Sequence, residues 1–80
     1  MNVKIKKGNL KELINFGFKE TEEYYAREIK YPVLLLVEKK TRILVVLSPL
    51  GEAAFMESHK DKFQDLIDAE LVEFIKGKYD

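Results

Sequence analysis

Two apolar runs in the middle of the chain form its strongest pattern. Residues 33–37 read Val-Leu-Leu-Leu-Val and residues 43–47 read Ile-Leu-Val-Val-Leu, with a charged segment between them. Such runs around a short polar turn are typical of a β-hairpin, so we predict strands over about 33–38 and 42–48. The turn contains neither Gly nor Asn, which favours a longer type I turn over a two-residue type I′ loop.

Both faces of this predicted hairpin are apolar. If Val37 pairs with Arg42, one face carries Val33, Leu35, Val37, Leu44 and Val46, and the other carries Leu34, Leu36, Ile43, Val45 and Leu47. An antiparallel strand with one solvated face alternates apolar and polar residues instead. We therefore expect a cover on each face. Helices can supply one cover, and residues 49–57, the N-terminus or another chain can supply the second.

The segment before the hairpin predicts a short helix and two strands. Asn9 and Glu12 are spaced as in a capping box, and Gly17 stands where a helix would end, so we predict a helix over about 9–16. Its apolar stripe would be Leu10, Leu13 and Ile14. Strands are predicted at about 18–21 and 24–30, the second with two adjacent tyrosines. A helix over 20–29 is the alternative.

The C-terminal third predicts a second helix over about 58–70 or longer. Ser58 and Asp61 are spaced as an N-cap signature. Helical spacing then continues through Phe63, Leu66, Ile67, Leu71, Phe74 and Ile75. Residues 71–75 either continue this helix or form a final strand, and the lack of Gly or Pro before Gly77 favours the helix. The whole chain, 1–80, is predicted as one α+β domain with a small antiparallel sheet, with a loose end at 77–80 and either a loose end or a strand at 1–8.

Composition excludes several classes of protein. The 80 residues are 46% hydrophobic and include no Cys, which excludes disulfides, thiol nucleophiles and cysteine-based zinc sites. No apolar run approaches the ~18–20 residues of a membrane span, and no secretory signal is visible. We therefore expect a cytoplasmic protein.

Candidate catalytic groups are few. His59 is the single histidine and is expected to be solvated at a helix start, while Ser48, Ser58, Thr21 and Thr41 are the hydroxyl candidates. None has the surroundings of an activated nucleophile. We expect no enzyme, no cofactor and no small-molecule substrate.

The charges are segregated although they sum to zero. Glu57, Asp61, Asp65 and Asp68 would share one face of the second helix. One straight helix cannot encircle a metal ion, so this acidic face is interpreted as a solvated surface, with binding of a basic partner as the alternative. The first eleven residues hold four lysines and no acid. A nucleic-acid patch there would combine Lys4, Lys6, Lys7, Lys11, Tyr24 and Tyr25.

Parts of the chain resemble a known group of sequences. The segments 9–13, 16–18, 24–25, 29 and 65–73, with the charged hairpin between them, are similar to small uncharacterised proteins of Gram-positive bacteria and their prophages. Those sequences often have Gly where Glu70 stands here, which implies a helix end and a strand over 71–75. The resemblance implies no activity and no functional residues.

Two functions remain as hypotheses. The first is a non-enzymatic protein-interaction domain that forms a homodimer through Leu34, Leu36, Ile43, Val45 and Leu47. The second is weak nucleic-acid binding by the lysines and tyrosines named above. The zero net charge makes nucleic acid the less favoured partner.

Overall fold

The computed structural model describes residues 2–53 and 57–75. Within them the strands are β1 (Asn2–Ile5), β2 (Lys19–Glu20), β3 (Tyr24–Lys30), β4 (Val33–Glu38), β5 (Ile43–Ser48), β6 (Gly51–Ala53) and β7 (Val72–Ile75). Two 3-10 helices span Leu10–Phe16 and Glu57–Phe63, and the second leads directly into the α-helix α1 (Gln64–Asp68). The described part of the chain is therefore α+β, as predicted. No helix in this part is long and apolar enough to cross a bilayer.

The strands form one antiparallel sheet in the order β2-β3-β4-β5-β1-β7, with β6 paired to the end of β5. β1 lies inside this sheet, between β5 and β7. Its Val3 and Ile5 are fully buried, whereas its polar neighbours are partly exposed. Of the two alternatives for residues 1–8, the strand is therefore correct for residues 2–5 and the loose end is wrong there, because their alternating side chains contribute to the core. Residues 76–80 lie outside the described part, so the predicted loose end at 77–80 stays a prediction.

The central hairpin is confirmed, but its register differs from the predicted one by two residues. Val37 pairs with Leu44 instead of Arg42. Arg42 adopts a left-handed conformation (φ 64°) and exchanges hydrogen bonds with Ile5 of β1. The backbone N–H of Arg42 donates to the carbonyl of Glu38 at 2.7 Å, so residues 39–42 form the turn and Arg42 lies within it instead of pairing with Val37. A shift of two residues keeps every side chain on its predicted face.

The predicted N-terminal helix is not an α-helix. Residues 10–16 form a 3-10 helix, which has three residues per turn. Leu13 is therefore fully buried, with Leu10 and Phe16 packed against the core. Ile14, predicted to lie on the apolar stripe, is 51% exposed because it falls outside this three-residue repeat.

Residues 18–30 form strands, and the alternative helix over 20–29 is excluded. β2 is shorter than predicted, because Phe18 precedes the strand and is buried in the core instead. β3 matches the prediction and pairs with β4, with an irregularity between Glu28 and Lys30.

The C-terminal helix ends early and a strand follows it. The α-helix covers only residues 64–68, and Glu70 has a positive φ of 59°, which reverses the chain direction. β7 then pairs with β1. Of the two alternatives for residues 71–75, the final strand is therefore correct and the continuing helix, which the lack of Gly or Pro favoured, is wrong; Leu71 and Val72 are buried in the core. The side chain of Ser58, the predicted cap, lies outside the described part.

The core lies between one face of the sheet and the helical segments. We call this the inner face. Its largest fully buried side chains, together with those of the helices, are Val3, Ile5, Leu13, Leu35, Val37, Leu44, Phe63 and Leu66. The opposite face is called the outer face and is defined by Tyr24, Ala26, Leu34, Leu36, Ile43, Val45 and Leu47.

Candidate interaction surface

The outer face brings all five predicted interface residues together. Leu36 pairs with Val45 and Leu34 pairs with Leu47 across the β4–β5 hairpin, with Ile43 at the start of β5. All five are partly exposed. None belongs to the buried core or to the apolar residues that pack against it, in the part of the chain that the structure describes. The described helical segments pack on the inner face, so the described residues leave the outer face only partly covered.

A groove of about 420 Å³ runs over one end of the outer face. Leu36, Ile43 and Val45 are its apolar lining, and Tyr24 contributes an aromatic side chain that is 39% exposed. Glu23, Glu38 and Thr41 complete the lining with polar groups. An apolar surface beside an aromatic ring and carboxylates suits a cationic group carried on an apolar stem. Sequence reasoning missed this groove, because its residues come from three strands and two turns.

Opposite charges flank the apolar centre of the outer face. Towards one end of the sheet, Lys4 of β1 lies between two cross-strand neighbours, Ile43 of β5 and Glu73 of β7. On the other side, Glu38 of β4 pairs with Tyr24 of β3. Neither Lys4 nor Glu38 has an ion pair with any residue that the structure describes. The outer face is therefore apolar in the middle, carries Lys4 with its neighbour Glu73 towards β1 and β7, and carries carboxylates towards β3.

Arg27 points to the inner side of β3 and ties the sheet to the helical segments. Its guanidinium donates to the backbone carbonyls of Phe16 and Lys62, both at 3.0 Å. It also donates to both carboxylate oxygens of Asp65, at 2.6 and 3.2 Å. The guanidinium carbon lies 4.9 Å from the centre of the Phe18 ring. The Arg27 side chain thus holds both the first 3-10 helix and the helical segment over residues 57–68 against β3. Its role is structural, and it lies on the opposite side of the sheet from the outer face.

The ion pair with Arg27 also sets the ionisation of Asp65. Partial burial pushes the pKa of Asp65 up, but the hydrogen bonds and charge of Arg27 outweigh it and hold the pKa below its usual 3.8. A carboxyl group whose pKa is lower in the folded state stabilises the fold above the unfolded pKa. That contribution is lost as the pH falls through the folded value.

We therefore expect Asp65→Asn to be less stable than the wild type near neutral pH, by about 1 kcal/mol, since water screens a half-exposed carboxylate. The difference should shrink as the pH falls below about 4 and through the lowered pKa of Asp65 in the folded state. Urea unfolding at a series of pH values measures this. Asp61→Asn is the matched control, because the Asp61 side chain is 79% exposed. An Asp65→Asn deficit that stays constant across this range would contradict the assignment.

The predicted nucleic-acid patch is not brought together. Tyr25 is 2% exposed and packs in the core, so it cannot stack on a base, and that part of the prediction is wrong. It was misplaced because adjacent residues of a strand point to opposite faces, so only Tyr24 lies on the outer face. Lys4 is separated from Tyr24 by β4 and β5, and Lys6 and Lys7 follow β1. Lys11 lies towards β2, where its charge contributes to a lowered pKa of Glu20, mainly caused by Lys39.

The predicted acidic helix face does not form as one stripe. Its spacing requires a continuous α-helix, but residues 57–63 are a 3-10 helix. Asp65 binds Arg27, Asp68 accepts a hydrogen bond from Gln64 at 2.9 Å, and Asp61 lies 4.0 Å from Lys62. The side chain of Glu57 lies outside the described part. Among the described residues no group of acidic or histidine side chains is arranged to hold a metal ion.

The remaining polar candidates occupy local positions. Thr21, Thr41 and Ser48 hydrogen-bond to backbone groups two or three residues away, which is typical of turns. His59 is only partly exposed, and its Nδ1 is buried without a hydrogen-bond partner among the described residues. The expectation of a solvated His59 is therefore wrong, since the ring packs partly into the protein.

Comparison of the chain with protein-family models, curated proteins and solved structures found no match.

Proposed function

We propose that this chain is a small protein-interaction domain that forms a homodimer through its outer face. The observation that supports this most directly is the set of five apolar side chains on β4 and β5 that no described helix covers. Packing the outer faces of two copies together would build the apolar core of a β-sandwich. The helical segments, which pack on the inner faces, would then lie on the two outsides of the dimer. Removing these side chains from water is the driving force.

A second copy of the chain suits this face better than an unrelated partner, because the face is complementary to itself. It carries an apolar centre with Lys4 beside Glu73 on one side and the carboxylates of Glu23 and Glu38 on the other, so a two-fold axis parallel to the strands would place Lys4 of one copy near the carboxylates of the other. Four strands of about six residues give a patch of roughly 20 by 20 Å. That is smaller than the roughly 800 Å² that each partner loses in a standard interface, so we expect a dissociation constant on the order of micromolar.

Light scattering on a size-exclusion column over a range of concentrations tests the proposal. We expect a mass that rises from one chain to two, and we expect Val45→Lys to hold the protein as a folded monomer by burying an unpaired charge at the interface. Ile14→Lys is the matched control, because Ile14 is also an exposed apolar residue but lies on the 3-10 helix.

The opposite results have clear meanings. A wild-type protein that stays monomeric into the high micromolar range contradicts the proposal. Circular dichroism of Val45→Lys and of a second variant, Ile43→Glu, checks that each is folded. If both variants unfold, the outer face belongs to the stable core of a single chain, and the proposal is also wrong.

A further inference from the structure

Lysine and glutamate lie in one row across the outer face. Reading across the sheet, the row contains Tyr24 on β3, Glu38 on β4, Ile43 on β5, Lys4 on β1 and Glu73 on β7. Val37 pairs with Leu44, so the next residues along the two strands, Glu38 and Ile43, lie opposite each other. The apolar centre of the face lies on β4 and β5, between the two charged sides. A partner that matches the groove must therefore carry a cation over the carboxylates of Glu23 and Glu38.

The proposed dimer supplies such a partner, and this inference rests on it. A two-fold axis that runs parallel to the strands, between β4 and β5, exchanges the positions of β1 and β3 in the facing copy. Lys4 of one copy then lies over Tyr24 and beside Glu38 of the other. A two-fold axis perpendicular to the strands would instead place Lys4 over β6. β1 and β6 both pair with the same edge of β5, β1 near its start and β6 near its end.

We propose that Lys4 of each copy binds in the groove of its partner, between Glu23, Glu38 and Tyr24. The aliphatic stem of lysine would lie on the apolar lining, and its ammonium group would meet two carboxylates and an aromatic ring. The groove of about 420 Å³ is open and large enough to admit the side chain. The two-fold symmetry repeats this contact, so a single lysine sets both the orientation and the register of the dimer.

Charge reversal tests the orientation. Lys4→Glu and Glu38→Lys should each weaken the homodimer by about tenfold or more, because like charges then meet at both symmetry-related contacts. An equimolar mixture of the two variants should recover dimer, since in the heterodimer the two substituted side chains meet as an opposite-charge pair at one contact and the native pair is kept at the other. The double variant Lys4→Glu/Glu38→Lys should also form a homodimer. Lys7→Glu is the control for charge alone, because Lys7 is exposed in the loop after β1.

The outcomes separate this inference from the proposed function. If the wild type is a dimer but the mixture recovers no more dimer than the separate variants, the Lys4 contact is wrong and the dimer has another arrangement. If the wild type is a monomer, the proposed function itself fails. Lys4→Gln and Glu38→Gln, checked by circular dichroism, replace either variant that does not fold. A neutral pair that leaves the dissociation constant unchanged also overturns the contact.

Discussion

Replacing Arg27 with alanine is expected to lower the free energy of unfolding by about 2–3 kcal/mol. The Arg27 side chain is only 18% exposed and makes four hydrogen bonds to two helical segments. Truncation leaves the carbonyls of Phe16 and Lys62 without this donor and removes the counter-charge of Asp65. For a domain of this size the loss corresponds to a fall in Tm of about 10–20 °C.

Thermal unfolding followed by circular dichroism measures this effect. Arg27→Lys is the informative control, because a lysine keeps the charge but cannot reach three acceptors with one planar group. We expect it to recover only part of the lost stability. A fall in Tm of under about 3 °C for Arg27→Ala would show that the sheet and the helical segments do not depend on this side chain.

Replacing Phe63 with alanine is expected to have the largest effect, a loss of about 3–5 kcal/mol. Among the described residues Phe63 is the largest fully buried side chain, and it lies where the 3-10 helix passes into α1. Its removal leaves a cavity between these helices and the inner face of the sheet. An 80-residue domain has a total stability of roughly 4–12 kcal/mol, so this variant should be partly unfolded at 37 °C.

Urea unfolding at low temperature measures the loss for Phe63→Ala. The matched control is Phe74→Ala, which deletes the same group from β7, where the ring is 42% exposed. We expect the control to lose about 1 kcal/mol or less, since much of that ring already contacts water. Equal losses at the two positions would contradict the placement of the core between the inner face and the helices.

The elements that could be predicted are those with a strong local pattern. The hairpin and β3 lie where the runs of β-branched and aromatic residues predicted them. Alternation also assigned every hairpin side chain to the correct face, although the register differed by two residues. Arg42 is held in the turn by a local hydrogen bond to Glu38 and by its contact with Ile5, 37 residues away, and no local pattern contains the second of these.

The elements that could not be predicted depend on distant contacts. The apolar spacing of residues 63–75 suits either a long helix or a helix followed by a strand. β1 pairs with β5 along one side, and β7 forms by pairing with the other side of β1. β1 comes from the opposite end of the chain. The N-terminal segment is a 3-10 helix although its sequence has the cap and stripe of an α-helix.

The outer face, too, could be predicted from the sequence only in part. The sequence by itself determined that both hairpin faces are apolar and named the five residues of the second face, because strand parity is a local property. Only the tertiary structure decided that the described helical segments pack on the first face, so that the described residues cover the second face only in part, and that Tyr24, Glu38 and Lys4 flank it. These positions depend on which strands become neighbours, and the packing of the whole chain determines that order.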